Sequence, residues 1–172
     1  RWNGAKAMGR ISVLRDVGGV MRPGSEFAAT DAELEQMPGY SRDMAKNREE
    51  ARRLLKEAGH ENLTLTMTNR NIPPYVALGV FVIDQWRQIG VKAEHQQVEL
   101  AGWYNALNNA NFDVIMDSYT DHSDDPTTGL VKFLSQTKYP VSSSRFEDAE
   151  LDKLYIAQWA APDAATRRKL VR

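Results

Sequence analysis

The stretch "NLTLTMTNRNIPPYVALGVFVIDQWRQIGVKAEHQQV" (Asn62–Val98) decides the fold, because hydrophobic periodicity changes twice within it. Leu63, Leu65 and Met67 alternate with threonines, the period of a half-buried strand. After "NRNIPP", Val76, Val80, Ile83 and Trp86, with Val82 and Ile89, recur at helical spacing. Pro74 suits the first turn of that helix, and Gly90 ends it. "VKAEHQQV" then reads as a second strand. Strand, helix, strand implies parallel pairing through a right-handed crossover.

Upstream, Ala51, Leu54, Leu55 and Ala58 fall on one helical face. Asn47 is the expected cap, Glu50 completes a capping-box arrangement, and Gly59 supplies the left-handed terminator. Downstream, Leu100 to Asn109 predicts a short helix around Trp103 and Leu107. "FDVIMDSY" predicts a third strand over Phe112–Ser118, beside strands over Leu63–Thr68 and Val91–Gln97. Trp86 and Trp103 read as core. The remainder is helical: a short piece over Leu130–Leu134, Asp148–Ala160 with Leu151, Leu154, Tyr155 and Gln158 on its face, and a last helix capped by Asp163. Residues 1–46, with Gly18, Pro23 and Pro38, read as a partial helix and a covering loop. Residues 47–172 read as an α/β ligand-binding lobe.

Composition excludes several classes of function. The chain has 172 residues, a formal net charge of −1 and no cysteine. It therefore lacks the basic stripe that nucleic acid requires, along with thiolate metal sites, disulfides and a cysteine nucleophile. Its longest apolar run, "YVALGVFVI" (Tyr75–Ile83), is far shorter than the roughly 20 residues that span a bilayer. No nucleophile elbow, zinc-protease pair or phosphate loop occurs. The three histidines, His60, His95 and His122, are too far apart to form a helical zinc pair. No metal and no cofactor is expected.

Polar residues concentrate at two strand ends. In an open α/β sheet the carboxyl ends of the strands face the ligand crevice. Asn69, Arg70 and Asn71 follow the first strand, and Tyr119, Asp121, His122 and Asp124 follow the third, so the two groups are expected to meet at one sheet edge. Arg70 is the candidate anchor for an anionic ligand group. Asp121 and Asp124 supply negative charge, His122 tunes it, and Tyr119 packs. Asp125 before Pro126 is a helix-start signal. Two other classes stay open: a hydrolase using His122 with a nearby serine and aspartate, and an interaction module with an exposed apolar patch.

"NREEARRLLKEAG", the strand after it, "PPYVALGVFVIDQWRQIGVKAE", "WYNALNNANFDV", "DDP" and "FEDAELDKLY" occur in an order that resembles the C-terminal lobe of the family 5 extracytoplasmic solute-binding proteins. These are the dipeptide- and oligopeptide-binding receptors of ABC importers. The resemblance runs from about Val17 to Arg172. It implies a three-layer α/β lobe of the type II periplasmic-binding-protein fold, with a mainly parallel sheet flanked by helices. It also implies a chain cut at both ends, its N-terminal lobe missing. Such a receptor closes on a peptide or other small solute at the periplasmic or extracytoplasmic face and passes it to ABC permease subunits in the membrane, with no chemistry done on the ligand. Peptide-binding relatives carry an aromatic residue and then an amine-binding aspartate before the "DP". Tyr119 stands at the first of these positions and His122 at the second, with Asp121 one residue earlier. Where relatives often have "NY" and a further aromatic, this chain has Ser142, Ser143 and Phe146.

Overall fold

The computed structural model describes residues 9, 19–117, 124–140 and 142–172. The chain forms two compact units, residues 1–17 with 32–118 and residues 18–31 with 119–172.

A short helix α1 (Asp31–Glu35) leads into the first unit and buries Leu34. It is followed by α2 (Met44–Glu57), β1 (Thr64–Arg70), α3 (Pro73–Arg87), β2 (Lys92–Val98), α4 (Leu100–Asn109) and β3 (Val114–Ile115). The sheet order is β2-β1-β3 with both pairings parallel, as the alternating periods predict. From the central strand the chain moves first to one neighbour and then back across to the other. Uniformly right-handed crossovers therefore put α3 and α4 on opposite faces of the sheet. Two glycines mark these faces. A Cβ on Gly79 of α3 would meet the side chains of His95 and Asn69, and one on Gly102 of α4 would meet Val98 at 3.6 Å. Met67, Val91 and Trp103 form the core between the layers.

Several details differ from the sequence reading. Helix α2 starts earlier, because Asp43 caps it and accepts from the Lys46 N–H at 3.0 Å. Asn47 instead donates its side-chain N–H to the Ser41 carbonyl at 2.7 Å, and Glu50 pairs with Arg53. The helix does end at Gly59, with φ +74°. There the His60 N–H reaches the Leu55 carbonyl at 2.8 Å and the Gly59 N–H reaches Lys56 at 3.0 Å, the two bonds of a Schellman ending. Strand β1 continues two residues beyond Thr68, so Asn69 and Arg70 are ladder residues, not the loop after a strand. On α3 the sheet-facing residue is Gly79, whereas Val80 is 57% exposed and Trp86 is half-buried.

The third strand is the shortest. The Asp113 carboxylate takes the Thr66 N–H at 2.8 Å, and the Met116 carbonyl accepts the Trp103 indole N–H at 3.0 Å. Side chains thus occupy backbone groups on both sides of Val114–Ile115, and the ladder is confined to these two residues.

The second unit contains α5 (Pro126–Leu130), a 3-10 turn (Val131–Phe133), α6 (Ala149–Trp159) and α7 (Ala164–Val171). Asp125, Asp148 and Asp163 cap the three helices by accepting N–H groups of Thr127, of Glu150 and Leu151, and of Thr166. The cap at Asp125 starts the short helical piece at Pro126, ahead of the expected Leu130. On α6 Gln158 is buried on the expected face, but Asp152 is buried beside it and Leu154 of that face is 38% exposed. Each buried polar group is satisfied. Asp152 accepts the Ser135 N–H at 2.9 Å and lies 3.4 Å from Lys138 Nζ, and Gln158 accepts Arg167 Nε–H at 2.9 Å.

Candidate binding site at the end of the central strand

Arg70 is the last residue of β1, at the carboxyl edge of a parallel sheet. Aromatic side chains surround it, drawn from α3 and α4. The guanidinium carbon lies 3.9 Å from the ring centre of Trp103, 5.0 Å from Tyr75 and 5.9 Å from Tyr104. Trp103 is buried and anchored by its indole N–H on Met116, so the ring under the cation cannot turn without losing that bond. Tyr104 packs edge-on against Trp103 with ring centres 5.0 Å apart. Arg70 Nη1 donates toward the Tyr75 hydroxyl at 3.5 Å, the outer limit of a hydrogen bond.

Aromatic faces stabilise a partly desolvated cation without consuming its N–H groups. Arg70 Nε is buried with no hydrogen-bond acceptor, and no carboxylate among the described residues forms an ion pair with it. Such a half-buried guanidinium retains capacity for a planar anion, which it can grip through two parallel hydrogen bonds.

The flanking residues hold it in place. Asn69 is fully buried: its Oδ1 accepts the Arg70 N–H at 2.9 Å, and its Nδ2 donates to the Tyr75 carbonyl at 2.5 Å and faces His95 Nε2 at 3.2 Å. Burial pushes the His95 imidazole below the ordinary histidine range. Asn71 ends the β1–β2 ladder, its N–H donating to the Val98 carbonyl at 2.9 Å and its side-chain N–H to the Glu99 carboxylate at 3.3 Å. The structure thus brings Asn69, Arg70 and Asn71 together, with Asn69 acting behind Arg70.

Asp124 belongs to the second unit, where Arg22 grips both its oxygens, Nε at 3.0 Å and Nη2 at 2.6 Å. Tyr119, Asp121 and His122 lie outside the described residues, and with them the expected meeting of the two polar groups. Among the described residues no cluster of histidine, aspartate and glutamate could hold a metal ion.

The sequence reading gives no site role to Tyr75, Tyr104 or His95, and it places Trp103 in the core. Trp103 is core, as expected, but its ring face also carries Arg70. The available signal was the tyrosine five residues after Arg70 and the "WY" pair in the helix after the second strand.

The chain is similar to the Escherichia coli murein tripeptide binding protein MppA (22% identity, TM-score 0.73, covering 91% of this chain and 29% of that one). It is also similar to OppA of Burkholderia pseudomallei (22% identity, TM-score 0.70, 78% and 27% covered) and to the periplasmic binding protein DppA of Helicobacter pylori (16% identity, TM-score 0.71, 98% and 35% covered). These likenesses give the fold, that of the type II periplasmic binding proteins. The chain spans 58% and 25% of the length of two further peptide transporter structures that it matches. No curated protein sequence matches it. The family model described as bacterial extracellular solute-binding proteins, family 5 Middle, matches residues 17–140, and the chain belongs to that family.

Proposed function

We propose that this chain is part of the substrate-binding component of an ABC importer, which captures a peptide or other small solute between two lobes outside the cytoplasm and delivers it to membrane permease subunits. The ligand undergoes no reaction. Family membership supports the role, and the observation that carries the site is the Arg70 guanidinium, stacked on Trp103 at 3.9 Å with no ion-pair partner among the described residues. Arg70 anchors a ligand carboxylate, with Asn69 and Asn71 shaping the strand end around it. For a cationic ligand group the candidates are Tyr119, Asp121, His122 and Asp124, with Asp124 sharing its carboxylate with Arg22.

Calorimetry of the intact receptor against a tripeptide library tests this reading. Arg70→Ala is expected to weaken binding by about 1.5–3 kcal/mol, the worth of hydrogen bonds to a charged group, which is roughly ten- to a hundredfold. Unchanged affinity would make Arg70 a surface-packing residue.

A further inference from the structure

Gly79 stands in the middle of α3, where glycine costs about 0.5–1 kcal/mol relative to alanine. Its place is explained by what lies opposite. A Cβ there would come within 2.6 Å of His95 Cε1 and 2.7 Å of Asn69 Nδ2, and closer still to His95 Nε2. Helix, imidazole and carboxamide share a space that admits no methyl group.

The orientation of the Asn69 amide is fixed by its other partners. Its oxygen accepts the Arg70 N–H, and one Nδ2 hydrogen goes to the Tyr75 carbonyl. The second Nδ2 hydrogen is left for His95 Nε2 at 3.2 Å, so that nitrogen carries a lone pair and the neutral ring holds its proton on Nδ1. Protonating the ring would set N–H against N–H. The same carboxamide ties the backbone of Arg70 to the first turn of α3, whose Tyr75 forms one wall around the guanidinium.

We propose that His95 is a proton-sensitive positioning residue for Arg70: its neutral ring holds Asn69, Asn69 holds both Arg70 and Tyr75, and protonation releases them together. This rests on the reading of Arg70 as the ligand anchor. Met67 and Asn69 face His95 from β1, and Gly79 faces it from α3. The Tyr75 carbonyl accepts from Asn69 and its hydroxyl accepts from Arg70. On β2, Glu94 and Gln96 alternate to the other face. The charged residues of α3, Asp84 and Arg87, pair with each other at 2.8 Å. Among the described residues none forms an ion pair with His95. Burial of the imidazole favours its neutral form, in keeping with this role.

The test is NMR of the intact, ligand-free receptor, following the His95 ring nitrogens, the Asn69 side-chain amide and the Arg70 amide and Nε–H from about pH 8 to about pH 5. The expected result is one midpoint shared by all three residues, below the value of about 6.5 for an unperturbed histidine. In His95→Gln, whose amide oxygen still accepts from Asn69, the Asn69 and Arg70 titrations should vanish. Flat Arg70 and Asn69 signals through the His95 midpoint, or titration that persists in His95→Gln, would overturn the proposal. No ligand is involved, so this failure is distinct from unchanged affinity in Arg70→Ala, which would instead remove Arg70 as the anchor.

Discussion

Among the described residues two arginines lie over aromatic rings, and their remaining bonds differ. Arg70 lies 3.9 Å from the centre of Trp103, and Arg167 lies 5.2 Å from Phe27. Arg167 uses its donors within its own unit: Nη1 and Nη2 reach the two Asp125 oxygens at 3.0 and 2.8 Å, Nη2 also reaches Thr127 Oγ1, and Nε reaches Gln158. Among the described residues Arg70 has one marginal side-chain bond, to a tyrosine hydroxyl. The first arrangement fixes the start of a helix, and the second leaves a cation oriented with donors to offer. Stacking on a ring is common to both, so the proposal for Arg70 rests on its lack of a carboxylate partner among the described residues.

Removing the aromatic support should have the largest effect on this contrast. Trp103→Ala deletes a buried ring and is expected to destabilise the first unit by about 3–5 kcal/mol. Trp103→Phe keeps a ring under Arg70 but leaves the Met116 carbonyl without its donor, for about 1–2 kcal/mol. Urea denaturation followed by circular dichroism separates the two. Equal stability of all three proteins would show that the ring contributes no packing beneath Arg70.

The paired arginine gives the next effect. Arg167→Ala should destabilise the second unit by about 1–2 kcal/mol, a figure reduced for solvent screening because the Asp125 side chain is 43% exposed. The Arg167 hydrogen bonds hold the Asp125 carboxyl down at about 2, from an ordinary 3.8. Its contribution is thus fully present above about pH 4 and lost as pH falls through about 2. The stability gap between wild type and Arg167→Ala should narrow over that window, and a gap independent of pH would contradict the pairing. Arg70→Ala, with no ion pair to lose among the described residues, should change stability less than Arg167→Ala does.

Local chemistry was legible in the sequence. The strand-helix-strand pattern, the Gly59 ending and the caps at Asp125 and Asp163 each depend on residues within a few positions of one another. What was not legible depends on partners distant in the chain. The third strand is cut short by the Asp113 carboxylate on Thr66 and by the Trp103 indole on Met116. Asp152 of α6 is buried, outside the face that periodicity gives, because it meets Ser135. The sequence points to Arg70 by its place near a strand end, and it is the last ladder residue of β1, yet the ring beneath it comes from a helix beyond the next strand. Hydropathy periodicity carries no information on such pairings.

The grip of Arg70 on a ligand carboxylate is tested most directly by a thermodynamic cycle on the intact receptor, crossing Arg70 and Arg70→Ala with a peptide selected from the library and its C-terminal amide. If Arg70 grips the ligand carboxylate, amidation should weaken binding to the wild type by roughly ten- to a hundredfold, matching about 1.5–3 kcal/mol, and should leave binding to Arg70→Ala nearly unchanged. Equal losses on amidation in both proteins would place the carboxylate elsewhere and contradict the account.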